Sequence, residues 1–175
     1  MGEIVPFKRK PKTDEIDAYL REAVQLTKKT SKRKEGDLTF DRKFQEAVQI
    51  GMCNILLAQK LISSEIFICV AHAASVIQQG IASVPESFYA ADYLVRGNDE
   101  NEPKYFLEGA DLCLIICVFF PERELRRTMR KGDYHWLGAM LYSNYYARTK
   151  KPFGWHMSQH FKTVAQVAAE ACKKL

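Results

Sequence analysis

No apolar run in this chain exceeds nine residues, Leu112 to Phe120. A membrane-spanning helix needs roughly 20, so no span is expected. The basic N-terminus is not followed by the apolar stretch that marks a secretory signal. No P-loop, dinucleotide-binding glycine pattern, nucleophile elbow or kinase motif set is present, which removes the commonest enzyme signatures. Helix-turn-helix, RRM and zinc-finger patterns are missing too. Strands are not expected: β-branched runs such as IICV sit inside longer helical patterns, and no Asn-Gly or Asp-Gly joins alternating segments. There is no internal repeat. The five cysteines are odd in number, and Cys53, Cys69, Cys113 and Cys117 lie in apolar surroundings. The expectation is therefore buried, reduced thiols in a cytoplasmic protein, not a disulfide framework.

What the chain does have is helical periodicity. At 175 residues it can bury about 70% of the surface its unfolded form exposes, so no metal or cofactor is needed to hold a core and none is expected. Residues 1–12 carry two prolines and four basic residues and read as a flexible basic arm ahead of one helical domain, 13–175. A first helix is expected from Asp14 to about Lys34. A second starts near Asp41, with Phe44, Ala47, Val48, Gly51, Ile55, Ala58 and Ile62 at spacings of three and four. Ile50, Met52, Leu56, Leu57 and Leu61 widen that stripe, which predicts burial on more than one side. A third runs from Ser64 to Gln79, stopped by Gly80, and is either separate from the second or joined to it by a kink at Ser63-Ser64.

Ser83 to Glu86 has capping-box spacing, with Pro85 in the first turn of a helix that should end at Gly97. Asn101 is expected to cap the next helix, which holds Pro103 in its first turn. That helix is the most apolar of all. Thirteen of the sixteen residues from Tyr105 to Phe120 are apolar or aromatic, the exceptions being Glu108, Gly109 and Asp111. Asp133 should cap a helix to Arg148. Pro152 and Gly154 then punctuate, and a last helix runs from Trp155 with Phe161, Val164, Ala165, Ala168 and Cys172 as its stripe. The fold class is all-α: six to eight helices bundled around the central apolar helix at about 103–120.

The runs FLEGADLCLIICVFFPE, DYHWLGAMLY and HFKTVAQVAAE together resemble a family of small bacterial proteins without an established activity. Its members carry an apolar helix with a Phe-Pro stop, a Tyr-Tyr-x-x-Met-Gly-x-x-x-Tyr-like helix and an amphipathic last helix. The resemblance covers about residues 104–170 and departs at His135, Trp136 and Leu137, where the family places Tyr and Met. It implies the helical fold and no chemistry.

Four sets of side chains are candidates for function. His156 and His160, four apart, have the spacing of two ligands to one metal, with His135 or Asp133 as a third. Glu108 and Asp111 are the only acids of the central helix and could hold a divalent cation or serve acid–base work. The bland alternative is that they favour the positive end of the helix dipole. Cys69 and His72 share a face at i,i+3 and, with Cys113 or Cys117, could form a thiolate–imidazole cluster. A thiolate in the central helix would be desolvated, so inert core thiols are favoured. The fourth set is a surface: Arg123, Arg126, Arg127 and Arg130 line one helix face beside the aromatics Tyr134, Trp136, Tyr145, Tyr146 and Trp155. Tyr and Trp bury apolar area while keeping a polar tip, as interfaces require.

The leading expectation is a non-catalytic helical protein-interaction module, with a homodimer as the simplest assembly. One alternative is nucleic-acid binding through the Arg face at 123–131 and the basic arm, although Glu122 and Glu124 interrupt that face. The other is a metal-dependent enzyme using His156 and His160, or Glu108 and Asp111.

Overall fold

The computed structural model describes residues 38–82, 90–119 and 131–175, all within one compact unit spanning Lys34–Leu175. The basic arm, the helix expected at 14–34, the capping box at Ser83 and the arginines 123, 126, 127 and 130 lie outside the described residues. Six helices are present among the described residues: α1 Leu38–Ala58, α2 Ser64–Ala82, α3 Ala90–Asp99, α4 Pro103–Phe119, α5 Lys131–Thr149 and α6 Pro152–Cys172. Among the described residues there is no strand, and the bundle is all-α. No described helix is long and apolar enough to cross a membrane.

α4 is the centre. It packs against α5, α3, α6 and α2, and its Tyr105, Phe106, Ala110, Leu112, Cys113, Leu114, Ile116 and Cys117 are all buried. Each large apolar side chain buried in this way contributes about 1.5–3 kcal/mol. Only one edge of α4 meets water, and Asp111 stands on its margin.

α1 and α2 are separate helices. No glycine or proline marks the break. Lys60 takes the left-handed conformation (φ 58°), Leu61 N–H bonds to the Leu56 carbonyl at 2.9 Å, and Lys60 N–H bonds to that of Leu57 at 3.1 Å. This pair of bonds closes a helix end as a Schellman motif. Ser63 Oγ then accepts the Ile66 N–H at 3.2 Å, capping α2. α1 is narrower in its burial than its apolar content suggests. Val48, Met52, Cys53, Ile55 and Leu56 face α2 and α6, whereas Ile50, Leu57 and Leu61, spaced seven and four apart, remain exposed.

Three boundaries differ from the punctuation of the sequence. Gly97 lies inside α3 and does not end it. A Cβ there would sit 2.7 Å from the Phe106 ring, so glycine is what lets α4 approach. Asn101 (φ 55°) precedes α4 without capping it; its carboxamide oxygen accepts from Arg148 Nη1 at the end of α5, and Arg148 Nη2 donates to Asn98 Oδ1 at 3.2 Å. α6 begins at Pro152 and not at Trp155, since proline fits the first helical position, where its missing N–H costs nothing. Its Gly154 is buried against Tyr145 and the Tyr142 carbonyl.

α5 and α6 form an antiparallel hairpin. Tyr145 packs at a tilt against Phe153 (5.4 Å between centroids) and Tyr142 against Phe161 (5.9 Å). α6 is buried on two sides, because α5 covers one and α1 and α2 the other. Val167, Ala169 and Ala171 are therefore buried beside the expected stripe.

Candidate functional site

One polar cluster joins three helices. His72 is on the partly wet edge of α2, between Ile68 and Ser75 on the same face. Asp111 is on the margin of α4. Tyr142 is on the inner face of α5 and wholly buried. His72 Nε2 lies 3.0 Å from Asp111 Oδ1 and 3.1 Å from Tyr142 Oη. The Tyr142 hydroxyl donates to the same Asp111 oxygen. α6 adds the Phe153 ring, 4.9 Å from the imidazole, while the Tyr142 ring meets it edge-on at 5.8 Å. The imidazole is thus gripped on three sides. The His72 and Asp111 side chains keep 21% and 26% of their surface exposed, so the cluster reaches solvent.

The electrostatics follow from that placement. Burial, then the Asp111 charge and the hydrogen bond to it, then the thiols of Cys113 and Cys69 push the Tyr142 hydroxyl well above the ordinary tyrosine range. Tyr142 is a permanent donor in consequence. Cys69 is fully buried, and desolvation pushes its thiol up to about 12. Burial raises Cys113 well above its usual range, with Cys117 and Asp111 adding to it. None of these thiols is a nucleophile at neutral pH. All five cysteines are free.

The candidate residues therefore separate. Asp111 and His72, taken from two different pairs in the sequence, come together. Glu108 is exposed, correcting its placement among the buried polar groups. Three residues turn a helix by 300°, so Glu108 stands 60° further out than Asp111. Cys69 shares a face with His72, yet the imidazole tip turns to Asp111. His160 Nε2 lies 3.8 Å from Glu65 Oε2, and His156 is half-buried one turn earlier. Among the described residues, no group of three or more His, Cys, Asp or Glu side chains could hold a metal ion. Among those residues, neither the His156/His160 pair nor Glu108 with Asp111 acquires a further ligand. Asp133 is exposed, and His135 packs edge-on to Phe161 at 6.4 Å.

The aromatic surface also divides. Tyr145 is buried in the α5–α6 hairpin and is no surface residue. Trp136 and Trp155 are 66% and 45% exposed. Tyr134 and Tyr146 are half-buried, Tyr146 against Trp155 at 5.7 Å.

Tyr142 is the member that sequence reasoning missed. It stands in the run DYHWLGAMLY, among the aromatics of α5. The available signal was its hydroxyl, since a buried tyrosine needs a polar partner, and Asp111 is the one acid on the inner margin of the central helix.

Comparison with protein-family models, with curated proteins and with solved structures found no significant match. The resemblance over residues 104–170 rests on the quoted motifs alone.

Proposed function

We propose that this bundle is a helical protein-interaction module whose simplest partner is a second copy of itself. The observation that supports the reading is the exposure of Trp136 on α5 and Trp155 on α6. Interface energy concentrates in tryptophan, tyrosine and arginine side chains that become fully desolvated on binding. Both tryptophans stand on the outer faces of neighbouring helices, and Tyr146 backs one of them. A cytoplasmic setting goes with this proposal, supported by five free thiols that an oxidising compartment would tend to pair. Membership of the bacterial family resembled by residues 104–170 is part of the same proposal.

Size-exclusion chromatography with light scattering tests it. The wild-type protein is expected at twice the chain mass, and Trp136→Ala with Trp155→Ala at the chain mass with unchanged helicity. A wild-type protein that stays monomeric and copurifies with no protein partner overturns it.

A further inference from the structure

The buried faces of α1 and α2 are in phase across the turn that separates them. Val48, Met52 and Ile55 are buried on α1, and Ile66, Val70, Ala73 and Ile77 are buried on α2. With the half-buried Ile62 between them, these positions follow at steps of four, three, seven, four, four, three and four. Val48 and Ile77 are 29 residues apart, which is about eight turns of helix. A straight helix through Gln59–Ser63 would therefore carry both stripes on one face. A turn between two independent helices sets no such phase.

Nothing in the turn forbids the straight form. Gln59, Lys60, Leu61, Ile62 and Ser63 include no glycine or proline, and Gln, Lys and Leu are good helix formers. Lys60 is in the left-handed conformation (φ 58°), which disfavours a residue with a side chain. The hydrogen bonds survive straightening. Lys60 N–H now bonds to the Leu57 carbonyl and Leu61 N–H to that of Leu56; in a continuous helix the two carbonyls trade donors. The Ile66 N–H, held by Ser63 Oγ, passes to the Ile62 carbonyl.

What straightening removes is the packing of α1 on α2 and α6. That seat is specific. A Cβ on Gly51 would lie 3.2 Å from Ala171 Cβ, so α6 is met by a glycine at that point. The segment that restores every lost contact is another α1.

We propose that α1 and α2 join into one helix and that two chains exchange α1, each filling the seat the other has vacated on α2 and α6. Exchange requires α1 to leave its seat, so it is reached through partial unfolding. It is separate from the pairing of closed chains through tryptophan and does not depend on it.

The Gly51–Ala171 contact supplies the test, because Gly51→Cys with Ala171→Cys brings two Cβ atoms near disulfide distance. The bond lies within one chain in the closed form and between two chains after exchange. Full-length protein carrying this pair with Trp136→Ala and Trp155→Ala is concentrated, held at its urea midpoint and returned to buffer. Its mass before urea reads the tryptophan pairing; its state afterwards reads exchange. The returned protein is expected to contain a species of twice the chain mass that, once oxidised, keeps that mass on a denaturing gel until reduced. Protein never exposed to urea, and returned protein without Gly51→Cys, are expected at the chain mass on the same gel. Lys60→Gly, which relaxes the turn, should lower the exchanged fraction about tenfold. No dimer after urea, or a dimer whose disulfides all lie within single chains, overturns the proposal. If the cysteine pair prevents folding, chromatography of the Trp136→Ala, Trp155→Ala protein with and without Lys60→Gly decides it, and equal dimer fractions overturn it.

Discussion

His72 on α2 and Asp111 on α4 meet at 3.0 Å, although 39 residues separate them in the chain. Tyr142 on α5 completes the contact, 31 residues beyond Asp111. Three helices that are far apart in sequence are thus pinned at one point, and the pin is partly open to water.

The pin should show as coupling energy. Tyr142→Phe removes one buried hydroxyl and its bond to a charged acceptor, a loss of about 1.5–3 kcal/mol. Asp111→Asn removes the charge that both partners use. Urea denaturation of the two single variants and the double variant is expected to give a coupling energy of about 1 kcal/mol. Strictly additive losses would mean that Tyr142 and Asp111 act independently.

The closeness of α3, α4 and α5 makes Gly109 intolerant of a side chain. A Cβ there would lie 2.6 Å from Tyr93 Cβ and 3.2 Å from Leu141 Cδ1. Tyr93 Cβ is at the root of its side chain and cannot rotate away. Overpacking costs about 1–3 kcal/mol, against a gain of at most about 1 kcal/mol in helix propensity. Gly109→Ala should therefore lower the thermal midpoint, and an unchanged or higher midpoint would show that the core has slack.

Much of the helical pattern was legible, for physical reasons that particular residues make plain. Ser63-Ser64 marked the start of α2 because a serine hydroxyl can cap a helix. The α1 stop was illegible because a lysine holds a conformation that sequence reading assigns to glycine. Asn101 had the right composition for a cap, but its side chain is drawn to Arg148 across 47 residues. The site was half legible. Spacing along a helix placed Asp111 and His72 on definite faces. It could not say which helices those faces meet, and that is a property of packing alone.

The lysine at the α1 stop leads to a stabilising substitution. The left-handed conformation costs an ordinary residue about 1–2 kcal/mol that glycine does not incur. Part of this is offset by the greater freedom glycine gains in the unfolded chain. Lys60→Gly is expected to raise the thermal midpoint by a few degrees. A lower midpoint would mean that the Schellman closure at Leu56 and Leu61 does not limit stability.

Alkaline pH should destabilise the bundle. Unfolded thiols ionise near 9.0, whereas burial pushes Cys53 up to about 11 and Cys69 up to about 12. Between those values the folded state holds protons that the unfolded state has released. The stability these groups contribute is complete below about pH 9 and is lost as pH rises towards the folded values, at about 1.4 kcal/mol per pH unit for each thiol. The urea midpoint should fall steeply from about pH 9 upward, and less steeply in Cys53→Ala. A flat profile to about pH 10.5 would contradict the burial of these thiols.

The most direct test of the central claim is the tautomer of His72. Nitrogen NMR of the histidine-labelled wild-type protein at a pH where the imidazole is neutral reads which nitrogen carries the proton. The hydrogen-bond arrangement predicts Nε2–H, with Nδ1 bare, and a loss of that preference in Asp111→Asn. A proton found on Nδ1 in the wild-type protein, or a tautomer indifferent to Asp111, would contradict the account.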